Sequence, residues 1–167
     1  GYGRRISKKT QFISKFTSAQ STLCLDNTSV VKFKKNNLIN KAYGATINNS
    51  FKIFDISRNE DKENITISAT HNAYLKKFGY LHKRTIKFCK KDSNIAGSDY
   101  LLKKNQNEVE VDFSIRFHIY PGINATQTMS QKSILLQIDK KRSWIFCCNN
   151  EGVQVEKSLF LGSNKIL

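Results

Sequence analysis

Arg116, His118 and Tyr120 occupy alternate positions in the most regular alternating stretch of the chain, Val109 to Tyr120. Successive side chains of an extended strand point to opposite faces, so these three share a face at steps of ~6.6–6.8 Å. The residue types suit an extended anion. Arg116 can grip a carboxylate through two parallel N–H bonds, and His118 and Tyr120 can donate or accept protons, with His118 the candidate catalytic group. Glu110 and Asp112 lie on the same face. That leaves a second reading, a solvated sheet face held by cross-strand pairs. His71 is the other candidate, flanked by Thr70 and Asn72 with Tyr74 close behind. His82 alternates with Arg84, Ile86 and Phe88, which points to a partly buried structural histidine. Trp144 alternates with Phe146 and is expected in the core.

The elements that must position these residues are strands. Two-residue alternation dominates, and no window shows convincing helical periodicity. Strands are expected at Ser21 to Leu25, Val30 to Lys34, Ala42 to Ile47, Phe51 to Ile56, Ile65 to Thr70, Tyr80 to Cys89 and Val109 to Tyr120. Further strands are expected at Ile123 to Thr128, Ser133 to Asp139, Ser143 to Cys148 and Val153 to Leu161. The polar stretch Arg58 to Asn64 reads as a turn, His71 to Gly79 as a connection, and Pro121-Gly122 as a turn that ends the longest strand. Roughly a dozen short strands without intervening helices predict an all-β fold, an antiparallel β-sandwich. The polar segment 1–19 is expected to continue from chain upstream, and residues 20–167 to form the β-sandwich domain.

Composition narrows the partners. The 167 residues carry 28 Lys+Arg against 13 Asp+Glu, a formal net charge of +15. Such a surplus attracts polyanions: nucleic acid, acidic lipid or acidic polysaccharide. The lysines come in pairs spread along the chain, as at Lys34-Lys35, Lys76-Lys77 and Lys140-Lys141. There is no long basic block and no basic helix to enter a groove, so nucleic acid is not the expected partner. No apolar run approaches the ~20 residues of a membrane-crossing helix. An aromatic content of 11% and a single proline argue against disorder. The chain opens Gly-Tyr-Gly-Arg-Arg without an initiator Met or a secretory signal, as expected of a fragment or a processed product. Cys24, Cys89, Cys147 and Cys148 form no C-x-x-C pair, so free thiols are expected rather than a zinc ribbon or a disulfide framework.

Three blocks carry a resemblance. The first is Ala19-Gln20-Ser21-Thr22-Leu23-Cys24-Leu25-Asp26-Asn27-Thr28-Ser29. The second runs His71-Asn72-Ala73-Tyr74, then Phe78-Gly79-Tyr80-Leu81-His82-Lys83-Arg84, and closes with Gly97-Ser98-Asp99. The third is Arg116-Phe117-His118-Ile119-Tyr120-Pro121-Gly122, continuing to Trp144-Ile145-Phe146 and Ser158-Leu159-Phe160-Leu161-Gly162. In order and spacing they resemble the C-terminal β-domain of the heparinase II/III-like family of polysaccharide lyases, across nearly the whole chain.

The resemblance implies an N-terminal helical toroid elsewhere in the same protein, with an acidic polysaccharide held in the cleft between the two parts. It also implies β-elimination next to a uronate. That reaction needs a donor to neutralise the carboxylate, a base to take the C5 proton and an acid to protonate the leaving oxygen. Most of those groups belong to the helical part, so this chain alone is expected to be inactive and to supply one wall through Arg116, His118, Tyr120 and Gln20. The alternative is a non-catalytic carbohydrate-binding or structural domain of an inactive homologue. Gln20 stands where the family carries a signature histidine, and glutamine can bond a sugar but cannot serve as a neutral-pH base. No organic cofactor is expected. Some family members hold a metal in this domain through two histidines and an aspartate, so the resemblance makes His71 and Asp26 candidate ligands for one divalent ion such as zinc. The implied location is the periplasm or cell envelope, with the cytoplasm as the alternative.

Overall fold

The longest strands form where β-branched and aromatic residues recur and where a local turn can close the ladder. The computed structural model describes residues 12–34, 46–48, 50–104, 110–149 and 152–158. Among these, the strands are β1 (Leu23–Leu25), β2 (Ile53–Glu60), β3 (Asn64–His71), β4 (Tyr80–Cys89), β5 (Asn94–Lys103), β6 (Phe113–Ile115), β7 (Asn124–Gln127), β8 (Ser133–Gln137) and β9 (Ser143–Cys147). A 3-10 turn at Thr17–Ala19 and one helical turn, α1 (Leu75–Phe78), are also present. The strands form three antiparallel sheets, ordered β1-β6, β2-β3-β4-β5 and β7-β8-β9. The all-β antiparallel expectation is borne out.

The chain divides into two units, Lys15–Arg116 and a second made of Gly1–Ser14 with Phe117–Leu167. In the first, side-chain chemistry sets each turn. Asp61 Oδ1 accepts the N–H groups of Glu63 and Asn64 at 2.8 and 2.7 Å, an aspartate turn that reverses β2 into β3. Gly79 ends α1 with φ 79°, a left-handed conformation that glycine adopts without a Cβ clash, and β4 starts at the next residue. The core holds Leu23 and Leu25 of β1 with Tyr74 and Phe78, and Val30, Tyr80, Leu101 and Val111 pack around them. The two-stranded sheet therefore shares one core with the four-stranded sheet.

Tyr74 anchors that core. Its side chain is buried, and its hydroxyl donates to the Leu23 carbonyl at 2.9 Å. Burial raises its pKa to about 12, so it is a neutral donor throughout the physiological range. Tyr74→Phe is expected to destabilise this unit by about 1–2 kcal/mol, because the Leu23 carbonyl loses its partner in a dry site. A lowered urea midpoint with an unchanged slope is the expected signature, and an unmoved midpoint would contradict it.

In the second unit β8 lies between β7 and β9, with Ile134 buried. Phe117 and Phe146 stack at a tilt with centroids 5.0 Å apart. Asp139 Oδ1 accepts the N–H groups of Lys141 and Arg142, both at 2.9 Å, and turns β8 into β9.

Several expected boundaries move. Arg58 to Asn64 is not all turn: β2 continues to Glu60, where Arg58 and Lys90 pair with Glu60 at 2.6 and 2.9 Å. β5 was not anticipated, because Asn94, Gly97, Ser98 and Asp99 interrupt its apolar residues. Phe33 and Ile47 meet only in an isolated bridge, and Ala42 to Ala45 lie outside the described residues. The longest expected strand, Val109 to Tyr120, contracts to β6 because its partner β1 is three residues long. Val109 lies outside the described residues. Residues 153–158 form no strand, and Leu159 to Leu161 lie outside the described residues. Trp144 is 43% exposed rather than in the core: it stands on the edge strand β9 opposite Leu136.

Candidate functional site

Strand register assembles the site. His71 on β3 stands directly opposite His82 on β4, and Arg84 on β4 stands opposite Asp99 on β5. Positions two apart share a face, so all four side chains fall on one face of the four-stranded sheet. His71 Nε2 and His82 Nδ1 are 2.9 Å apart, and His82 Nε2 meets Asp99 Oδ1 at 2.6 Å. Arg84 then grips Asp99 through both carboxylate oxygens, Nε to Oδ1 at 2.7 Å and Nη2 to Oδ2 at 2.8 Å. The side chains of His82 and Asp99 are only 3% and 7% exposed.

The direction of these bonds follows from one backbone group. The Ala73 N–H points at His71 Nδ1, 3.2 Å away, and an N–H can only donate. His71 Nδ1 is therefore a lone pair, and the ring proton sits on Nε2 and donates to His82 Nδ1. His82 in turn carries its proton on Nε2 and donates to Asp99. Electrostatics agree with this assignment. Burial lowers the His71 pKa from 6.5 to about 4, so the ring is neutral. Burial alone would raise the Asp99 pKa, but hydrogen bonds from His82 and Arg84, with the Arg84 charge, hold it below the ordinary range.

His71 also borders a recess of about 130 Å³, lined among others by Lys15, Thr17, Gln20, Phe51 and Tyr74. That is room for several waters or a small polar group such as a carboxylate. Phe51 and Tyr74 flank the imidazole with centroids 5.8 and 5.6 Å away. The turn around Gln20 also lines the recess, and the Gln20 N–H bonds the Thr17 carbonyl at 3.0 Å. Cys24 on β1 is buried, and desolvation raises its thiol pKa, so it is a packing residue rather than a nucleophile. The four cysteines are free, as expected.

A family model for the heparinase II/III-like C-terminal domain matches residues 1–166. The chain belongs to that family. No curated protein and no solved structure matches it.

Within this heparinase II/III-like domain the anticipated residues divide. Gln20 and His71 do meet, on the walls of one recess. Arg116, His118 and Tyr120 do not form one strand face, because β6 ends at Ile115. Arg116 closes the first unit and bonds Ser114 Oγ at 2.6 Å. His118 lies in the second unit, exposed, with Nδ1 3.4 Å from Ser158 Oγ. Tyr120 is 69% exposed there. The two candidate ligands are differently placed. Both His71 nitrogens are committed, and Asp26 sits in an exposed turn with its carboxylate 3.5 Å from Lys77 Nζ. Among the described residues no three His, Cys, Asp or Glu side chains are grouped to hold an ion. Sequence reasoning took His82 as structural and gave Asp99 no role. The usable signal was the Arg84/Asp99 pairing of opposite charges, but it appears only once β4 and β5 are in register.

Proposed function

We propose that this domain is the β wall of an acidic-polysaccharide lyase, recognising a uronate-bearing chain while a helical N-terminal domain supplies the groups that carry out β-elimination. The observation that carries this reading is the recess in which Lys15, Gln20 and His71 meet. A cation and an amide suit a sugar carboxylate and its hydroxyls. The surplus of +15 draws a polyanion toward the domain. His71 has no nitrogen lone pair left to take the C5 proton, and Gln20 is not a base. The wall therefore binds and orients. The same reading assigns the protein to the periplasm or cell envelope, where such polymers are met.

The test is a panel of acidic glycans offered to the full-length enzyme, with unsaturated uronate followed by absorbance. Product from uronate polymers, and none from neutral ones, is expected. Binding of uronate oligosaccharides without any product would move the reading to a non-catalytic carbohydrate-binding domain, which Gln20 and the committed His71 nitrogens also favour. Strong salt-dependent binding to duplex DNA with none to uronates would replace both. Gln20→Ala is expected to weaken oligosaccharide affinity by about tenfold, the loss of one hydrogen bond to a charged group. In the enzyme this appears as a raised KM with kcat little changed. Calorimetric titration showing unchanged affinity would remove Gln20 from the binding wall.

A further inference from the structure

Arg84 lies behind the recess and is linked through other residues to two of the groups that line it, Gln20 and His71. Its Nη1 donates to the Ser21 carbonyl at 2.5 Å, one residue from Gln20. Its Nε and Nη2 hold Asp99, which holds His82, which holds His71. One planar guanidinium therefore spans from the Gln20 wall to the start of the string that ends at the His71 wall. Lysine could keep the charge but not the geometry, since an ammonium is a point charge without a fixed fork.

We propose that Arg84 and Asp99 are positioning residues of the recess, setting where the Gln20 turn stands and, through His82, the orientation of His71. This rests on the reading of the recess as a sugar-binding wall. Neither residue has to touch the sugar. An ion pair that merely holds the sheet together would affect stability alone, whereas a positioning pair also governs where Gln20 and His71 stand.

Two measurements on the intact chain decide the matter. The first is histidine side-chain ¹⁵N NMR of the unmodified protein at neutral pH. The ring proton shared between the two histidines is expected on His71 Nε2, and a His71 proton on Nδ1 would overturn the proposal. The second is Arg84→Lys, which leaves a cation beside Asp99 and so is expected to keep the fold and both tautomers. Its affinity for uronate oligosaccharides is expected to fall about tenfold. Its backbone amide shifts are expected to move around residues 20–22 as the Ser21 carbonyl loses its donor. Wild-type affinity in Arg84→Lys, or unmoved amides at 20–22, would overturn the proposal. If the unmodified chain binds no uronate, the sugar-binding reading fails, and the tautomers and amide shifts still decide whether Arg84 and Asp99 position the walls.

Discussion

Asp99→Ala is expected to destabilise the Lys15–Arg116 unit by about 3–5 kcal/mol, the cost of deleting one partner of a buried, hydrogen-bonded charge pair. The size follows from what is left behind. His82 Nε2–H faces a cavity in place of its acceptor, within a side chain only 3% exposed. The Arg84 guanidinium loses both of its bonds to the carboxylate. The first loss carries the penalty of an unpaired buried polar group, while the second is softened because Arg84 is 21% exposed and keeps its bond to the Ser21 carbonyl. The whole stability of a small domain is only ~5–15 kcal/mol, so a large share is at stake. Urea unfolding should show a midpoint lower by about 2 M, taking a slope near 2 kcal/mol per M. Asp99→Asn keeps an acceptor for His82 and should lose less. A midpoint within error of wild type for Asp99→Ala would mean that the string contributes nothing to stability.

Acid is expected to weaken the same unit in two stages. His71 has a folded pKa of about 4 against 6.5 for the free side chain. Between those values the unfolded chain binds a proton that the folded chain refuses, so stability rises with pH across this window and is lost as pH falls from 6.5 to about 4. The loss amounts to about 2–3 kcal/mol. The physical event is plain: a proton on Nδ1 displaces the Ala73 N–H, and a second charge appears in a desolvated site. Asp99 then contributes. Its folded pKa is lowered, so its stabilisation is complete above the unfolded value of 3.8 and disappears as pH falls through the lower folded value. Urea titrations between about pH 7 and about pH 4 measure the first stage, and His71→Gln should flatten it. A wild-type profile that is already flat across this window would contradict a neutral, buried His71.

The amino-acid order was legible wherever parity alone decides the answer. Two-residue alternation marked β4 to the residue, and the strand class of the whole chain, because side-chain direction along a strand depends only on whether a position is odd or even. Parity also put His82 and Arg84 on one face. Two of the three blocks that carry the family resemblance hold Gln20, His71, Arg84 and Asp99, the residues of the recess and its support, and the third holds Arg116, His118 and Tyr120. Arg116, His118 and Tyr120 show the limit. Their alternation is genuine, but a strand lasts only as long as its hydrogen-bonding partner, and β1 is three residues long. Asp99 shows the complementary limit. In sequence it is one acidic residue among polar neighbours, and its role exists only because β4 and β5 pair with Arg84 opposite it. Periodicity and turn chemistry are properties of neighbours in the chain and were readable from the residues. Register and the contacts of His82 with His71 and Asp99 depend on groups 11 to 17 residues apart, and only the folded sheet decided them.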